Sequence, residues 1–222
     1  MSEEIHWQTA KEYKSETAGE LADLMSIRRD LDFTIRATEL ALQLTSDSLS
    51  HDVADDLGDD SVRRTSLWNS ALVAYARCFA SGVRQVRLSI DMFKGLGDKA
   101  DEAEKGHAYV INLRNKYIAH SVNRFEDGRV ILLVADGVHS DKGVVGAGPF
   151  LMWPAAENPN NVRSLQNLAR FLKDQVDSMV NEKMRQVLEE AKKLSDQELA
   201  SLPDMAVPIP VQPDEAGKPR PR

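Results

Sequence analysis

The stretch from residue 19 to residue 48, "GELADLMSIRRDLDFTIRATELALQLTSDS", carries the clearest structural pattern in the chain. Its apolar side chains recur at steps of three and four residues, which places them on one face of an α-helix. The members of this stripe are Leu21, Leu24, Ile27, Leu31, Ile35, Thr38 and Leu42. Because a long amphipathic helix must bury its stripe against other elements, this stretch predicts a helical bundle.

Two further helices are predicted on the same grounds. Residues 61–93 carry one apolar arc, formed by Trp68, Leu72, Tyr75, Phe79, Val83, Val86, Ile90 and Phe93. On such a helix Arg77 and Arg84 are seven residues apart and nearly eclipsed, with Arg87 and Lys94 on the neighbouring flank. The glycines of "KGLGD" end this helix, and Asp98 is a candidate N-cap for a third helix over residues 98–120.

The pattern changes after residue 128. The runs "RVILLVADG" and "VVGAGPFLMWP" are short, apolar and separated by turn residues, so they predict a β-hairpin over about 129–153. Helical spacing returns over about 158–194, and the Pro-rich segment 195–222 is predicted to be a flexible tail. With residues 1–18 as a polar arm, the predicted fold is mainly α: one domain over 19–194, with four or more helices and an inserted β-hairpin.

Composition narrows the classes of function. The 222 residues carry a net charge of −7, so the chain is not a general polyanion binder, and any contact with nucleic acid must be local. Cys78 is the one cysteine and the five histidines are scattered, so no metal site and no cofactor are predicted. The N-terminal segment is too polar for a signal peptide and no stretch is apolar enough to span a bilayer, so we expect a soluble, cytoplasmic protein.

Near the end of the third predicted helix lies "LRNKYIAHS", residues 113–121. At about 100° per residue, Arg114 falls inside the apolar arc that includes Val110, Leu113 and Tyr117. A guanidinium there keeps its charge and therefore requires an anionic or carbonyl partner. Two alternatives follow, an external phosphate or an internal carboxylate, and the internal candidates are Asp30, Asp32, Glu39 and Asp91.

His120 lies at the predicted end of the same helix. The usual role of a histidine there is to bind the free carbonyl groups of the last turn. An arginine that binds phosphate and a histidine that titrates near neutral pH are, however, the minimal set for cleaving a phosphodiester without a metal. The residue pair Arg114 and His120 is therefore a candidate reaction centre.

The run "LRNKYIAHS" resembles the signature of the HEPN superfamily, an arginine followed by a polar residue and then a histidine. Arg114, Asn115 and His120 match that signature position by position. The resemblance implies an up-and-down helical bundle that forms a homodimer, and a metal-independent endoribonuclease of a toxin–antitoxin, phage-defence or other conflict system. It also implies an antitoxin protein as a partner. In this resemblance His120 acts as the general base or acid, Arg114 binds the scissile phosphate and Asn115 orients the pair.

Five further residues are candidates for contact with RNA. His107 lies on nearly the same helix face as Arg114, while Lys116 and Ser121 flank the motif; Arg77 and Arg84 belong to the predicted basic edge. For each of them a purely structural role is the competing interpretation. Two other functions stay open for the whole chain, a non-catalytic HEPN-like binding module and a structural helical protein without a site.

Overall fold

The computed structural model describes residues 10–47, 58–80, 82, 84–118, 128–134, 144–151 and 158–205. Its elements in chain order are α1 (Glu16–Asp47), α2 (Asp59–Arg77), a 3₁₀ segment (Ile90–Lys99), α3 (Ala100–Leu113), a π-helical segment (Arg114–Ile118), β1 (Gly128–Val134), β2 (Val144–Leu151), α4 (Pro159–Ala191) and α5 (Asp196–Ser201). Helix α1 packs along both α2 and α4, and α3 packs against the same two helices. The prediction of a mainly α bundle with an inserted β-hairpin is confirmed.

The stripe on α1 forms the centre of the core. Leu24, Ile27 and Leu31 are at most 1% exposed. Further along α1, the buried hydroxyl groups of Thr34 and Thr38 donate to the carbonyl oxygens of Asp30 and Thr34, each at 2.8 Å. Because each hydroxyl finds an acceptor in its own helix, these two threonines enter the core without an unpaired polar group.

The second predicted helix, over residues 61–93, is wrong beyond Arg77, which is about half of its length. Helix α2 ends at Arg77, and the chain then turns back so that the amide of Leu88 donates to the carbonyl of Cys78 at 2.9 Å. The buried carboxylate of Asp23 on α1 accepts from the amide of Gln85 at 2.6 Å and from that of Val86 at 3.4 Å. These contacts with α1 replace the backbone hydrogen bonds of a continued helix, and the apolar spacing alone did not indicate them.

The 3₁₀ segment is kinked at Gly97, shortly before α3 begins. Gly97 has a φ of +57°, a left-handed conformation that a side chain would disfavour. Lys99, not the predicted Asp98, occupies the N-cap position of α3. The 3₁₀ segment buries Phe93, so the residue predicted for the end of helix two still joins the core.

Helix α4 begins as predicted and α5 was missed. The side chain of Asn158 accepts from the amide of Asn160 at 3.0 Å and caps α4, with Pro159 in the first turn. Ser195 and Glu198 form a capping box that starts α5. Residues 196–201 are therefore helical, which corrects the prediction of a flexible tail from residue 195; the part of that tail from 206 lies outside the described residues.

The start of the described chain is bound to α4 and to the segment after α5. The hydroxyl groups of Tyr13, Ser15 and Thr17 all donate to the carboxylate of Glu190, which holds the pKa of that carboxyl below its usual range. The amide of Glu12 donates to the carbonyl of Pro203 at 2.8 Å. Helix α1 begins at Glu16, so the predicted polar arm of residues 1–18 contributes its last three residues to a helix.

The two strands pair in antiparallel register from Gly128 opposite Leu151 to Leu133 opposite Gly146. This agrees with the hairpin predicted over about 129–153, although residues 135–143 and 152–153 lie outside the described residues. Every helix in the described ranges falls short of the continuous apolar length that a bilayer crossing requires.

Candidate functional site

Arg114 and Asn115 lie where α3 passes into the π-helical segment. A π-turn adds one residue to the helical repeat and so changes the direction in which the following side chains point. The segment also packs against α2. Arg114 is half-buried between this helix end and the surface, next to the buried Leu113. Its Nη1 donates at the surface to Oδ1 of Asn115 at 3.0 Å, so the two neighbours of the motif form one polar unit.

The internal carboxylate partners considered for Arg114 are occupied elsewhere. Among the described residues, each of the four pairs with a different cation: Asp30 with Arg84 at 2.7 Å, Asp32 with Lys173 at 3.8 Å, Glu39 with Arg36 at 2.9 Å and Asp91 with Lys94 at 2.6 Å. The contact shown for Arg114 is with a neutral amide, which does not cancel its charge. Its guanidinium therefore retains the capacity to bind an anion.

His120 and Ser121 lie outside the described residues. The structure thus brings together two of the three residues of the motif, and the position of the histidine relative to Arg114 stays a prediction. Lys116 lies within the π-helical segment and is exposed.

Arg84 has a structural environment. Its side chain is 16% exposed, and its Nη2 donates to Oδ2 of Asp30 at 2.7 Å and to the hydroxyl of Ser26 at 2.8 Å. Its Nη1 donates to the carbonyl of Arg77 at 3.2 Å, which caps the end of α2. These contacts hold the chain after α2 against α1 and occupy the guanidinium that was predicted to contact RNA.

Arg77 pairs with the same carboxylate of Asp30 from the solvent-exposed side. Its Nε lies 3.6 Å from Oδ2 of Asp30, and its side chain is 57% exposed. Arg77 and Arg84 therefore do lie close together, as the sequence spacing suggested. They do so because both pair with Asp30 after the chain reverses, and not because they share a helix face. The reasoning from a continuous basic helix edge was wrong because Arg84 follows the end of α2.

His107 lies in the core and not at the surface. It is 9% exposed, and its Nδ1 is 3.0 Å from the hydroxyl of Tyr75 on α2. Its ring contacts Phe79, with centroids 4.4 Å apart, and Phe93, with centroids 5.6 Å apart. Burial lowers the pKa of His107 and raises that of Tyr75. This environment favours the neutral imidazole and gives His107 a place in a buried aromatic cluster.

Sequence analysis missed this Tyr75–His107 pair because Tyr75 fits the apolar stripe of α2. A signal was nevertheless present, since a buried tyrosine hydroxyl requires a hydrogen-bonding partner. Cys78 lies close by and is fully buried, as its sequence context suggested. Burial raises the pKa of its thiol to about 12, which leaves it protonated and unreactive near neutral pH.

Two adjoining surface cavities run along α1 and α2, with volumes of about 420 and 540 Å³. Both are lined by Phe33 and Ser70, and Phe33 is 49% exposed. Neither cavity is lined by Arg114 or Asn115. Among the residues that the structure describes, no group of three or more His, Cys, Asp or Glu side chains is placed to hold a metal ion.

Comparison of the chain with family models, with curated proteins and with solved structures finds no match.

Proposed function

We propose that this protein is a HEPN-like, metal-independent endoribonuclease that acts in the cytoplasm as part of a toxin–antitoxin or phage-defence system. The observation that supports this proposal is the environment of Arg114, whose guanidinium binds neutral Asn115 at the surface while the candidate carboxylates pair with other cations. A cation in this state suits a phosphate of RNA.

The proposed reaction begins with the ribose 2′-hydroxyl. His120 accepts its proton, the 2′-oxygen attacks the adjacent phosphorus, and the bond to the 5′-oxygen of the next nucleotide breaks. The leaving 5′-oxygen takes a proton, and the products end in a 2′,3′-cyclic phosphate and a 5′-hydroxyl. Arg114 binds the non-bridging phosphate oxygens and stabilises the charge that they gain in the transition state.

Asn115 has a positioning role in this proposal. Its Oδ1 accepts from Nη1 of Arg114 at 3.0 Å, which restricts the orientation of the guanidinium. One motif supplies one histidine, whereas the reaction uses both a base and an acid. A homodimer that brings two motifs to one phosphate supplies both groups.

The alternative is a non-catalytic dimeric module that binds RNA, a nucleotide or a protein partner such as an antitoxin through the same residues. The net charge of −7 favours it, because an acidic chain gains little from general attraction to RNA. The exposed aliphatic side chains of β1, which suit contact with another protein, also favour it.

The decisive experiment incubates the purified full chain with mixed RNA in EDTA and compares it with His120→Ala. His51→Ala is the matched control, because it removes a histidine that lies outside the motif. We expect cleavage by the wild-type chain and by the control, a loss of about 10²- to 10⁴-fold in His120→Ala, and products with 2′,3′-cyclic phosphate ends. Cleavage that is absent, or equal in both variants, contradicts the ribonuclease; RNA binding that depends on Arg114 without cleavage supports the alternative.

A further inference from the structure

Arg64 on α2 carries a positive charge that the described fold leaves unpaired. Its Nε is buried and has no hydrogen-bond acceptor among the described residues. The adjacent Arg63 takes both acids of this turn, with Nη1 3.3 Å from a carboxylate oxygen of Asp60 and Nη2 4.0 Å from one of Asp59. A half-buried guanidinium keeps its charge, and its N–H groups require acceptors. Arg64 therefore has the capacity to bind an anion.

Helices α2 and α3 run antiparallel where they meet. The hydroxyl of Tyr75, near the end of α2, lies 3.0 Å from Nδ1 of His107, in the middle of α3. The π-helical segment that follows α3 also packs against α2. Since α2 ends two residues after Tyr75, this second contact falls on the earlier turns of α2, which requires the antiparallel arrangement.

Arg64 and Arg114 lie at similar heights along this pair of helices. Arg64 precedes Tyr75 by 11 residues, and Arg114 follows His107 by seven. At a rise of 1.5 Å per residue, these separations are about 16 Å and about 10 Å in the same direction from the contact between Tyr75 and His107. The difference is about one helical turn, which two arginine side chains can span.

The two arginines also lie on facing sides of their helices. Separations of 11 and of seven residues are close to whole numbers of turns at about 100° per residue. Arg64 therefore lies on the face of α2 from which Tyr75 contacts α3, and Arg114 lies on the face of α3 from which His107 contacts α2. Arg114 keeps helical φ and ψ, so its place on that face follows from the helix. The two helices thus direct two guanidinium groups toward one region.

We infer that Arg64 and Arg114 form one phosphate-binding site between α2 and the end of α3. Arg64 binds a phosphate of the RNA strand next to the scissile phosphate that Arg114 binds, so in naming RNA as the ligand the site rests on the proposed function. Guanidinium groups on facing helices repel each other, and anions bound between them remove that repulsion. A single strand of RNA carries a negative charge on every phosphate and so supplies an anion for each arginine.

A structural role would give Arg64 partners of the kind that Arg84 has. Arg84 donates to a carboxylate, a hydroxyl and a carbonyl group. Within the described part of the chain, the buried Nε of Arg64 has none of these. Arg64→Met keeps most of the aliphatic stem and removes the unpaired N–H group, so it should weaken RNA binding without weakening the fold.

Binding of a labelled single-stranded 2′-O-methyl RNA to the full chain tests the site, because this strand lacks the 2′-hydroxyl and cannot be cut. Arg63→Met is the matched control, since it removes the neighbouring exposed arginine. By fluorescence anisotropy we expect about tenfold weaker binding for Arg64→Met, and a slope of log K against log salt that is smaller by about 0.7. Arg63→Met should bind within about twofold of the wild type. Unchanged binding by Arg64→Met, or an equal loss in both variants, overturns the inference.

Inorganic phosphate at constant ionic strength is the second probe. It carries the same chemistry as the strand but occupies one arginine at a time, so it should displace the strand only at millimolar concentration. Displacement at micromolar concentration would identify a small free anion as the ligand and overturn the assignment to RNA.

Urea unfolding separates a binding role from a structural one. The unfolding midpoint of Arg64→Met should equal or exceed that of the wild type, because the folded state loses no hydrogen bond. A midpoint clearly below that of the wild type would show that Arg64 pairs with a group of the protein itself, which overturns the inference.

Crosslinking with a short bis-maleimide tests the geometry without any RNA. Because Cys78 is buried, the double variant Arg64→Cys with Arg114→Cys adds two thiols that can react. Mass spectrometry should show these two thiols bridged within one chain much faster than those of Arg63→Cys with Arg114→Cys, since Arg63 lies about 100° further around α2. Equal rates contradict a shared site.

RNA cleavage by the same variants separates the two proposals. A strand that binds through Arg64 but is not cut supports the site and contradicts the ribonuclease. Cleavage that depends on His120 and is unchanged in Arg64→Met does the reverse.

Discussion

Arg84 and Arg114 both follow the end of a bundle helix, but the fold treats their charges differently. Arg84 is largely buried and donates to a carboxylate, a hydroxyl and a carbonyl group. Arg114 is half-buried and donates to the neutral side chain of its neighbour Asn115. Arg84 therefore links the segment after α2 to α1, whereas Arg114 is a candidate anion-binding residue.

Two acidic residues of α1 hold the segment after α2 against that helix. Asp23 and Asp30 are two helical turns apart and are 7% and 9% exposed. Asp23 accepts from backbone amides of residues 85 and 86, and Asp30 accepts from Arg84. Buried acids of this kind are stable only while their donors stay in place, so Arg84 contributes to the fold.

The largest effect is expected at Arg114. Arg114→Ala should lower RNA cleavage by about 10²- to 10³-fold, because it removes the group that stabilises the charge on the phosphate. Arg114→Lys keeps the charge without the fork of donors and should lose less. Arg36→Ala, which breaks the exposed pair with Glu39, is the control and should retain full activity. Initial rates on one labelled RNA measure all three variants. Cleavage that is insensitive to substitution of Arg114 would contradict the contrast drawn between Arg114 and Arg84.

The second-largest effect concerns stability, and here the substitution of Arg84 is expected to cost more than the substitution of Arg114. Arg84→Met leaves Asp30 buried without its closest cation and should lower the free energy of unfolding by about 2 to 4 kcal/mol. Arg114→Met should change it by less than about 0.5 kcal/mol. Urea unfolding at neutral pH measures both.

The double variant Asp30→Asn with Arg84→Met sharpens this prediction. It removes the buried charge together with its partner, so part of the lost stability should return. Equal losses for Arg84→Met and Arg114→Met would show that the two arginines do not differ as described.

The smallest effect is a pH dependence that arises on α3 itself, two turns before Arg114. Burial lowers the pKa of His107 in the folded state, so below about pH 6.5 the unfolded chain binds more protons than the folded chain. Stability from the neutral ring is fully present above that pH and is lost as the pH falls from about 6.5 through the lower pKa of the folded state, by at most about 1.4 kcal/mol per pH unit. In urea unfolding, the free energy of unfolding of His107→Gln should decline less steeply between pH 7.5 and 5.5 than that of the wild type. Parallel declines for the two proteins would contradict this prediction.

Much of the fold was predictable because helical periodicity is local. The stripe from Leu21 to Leu42 indicates α1, and the change of period after residue 128 indicates the hairpin. The end of α2 was not predictable in this way, since apolar spacing continues to Phe93 while the chain reverses at Cys78. That reversal depends on Asp23, whose carboxylate accepts from the amide of Gln85, 62 residues later in the sequence.

The candidate site was predictable in part. Its residue types follow from "LRNKYIAHS", and the need of Arg114 for a partner follows from its place among apolar neighbours. Which carboxylates are occupied does not follow from spacing, because an ion pair depends on distances between helices.

The sequence by itself determined α1, α4, the hairpin and the polar motif at the end of α3, because these depend on neighbours within a few residues. Only the tertiary structure decided that Arg84 pairs with Asp30, that His107 is buried against Tyr75, and that the side chains from Val130 to Val134 are exposed. Each of those outcomes depends on which elements meet in space. A charge is neutralised, or an apolar strand buried, only by groups that the fold brings within contact distance.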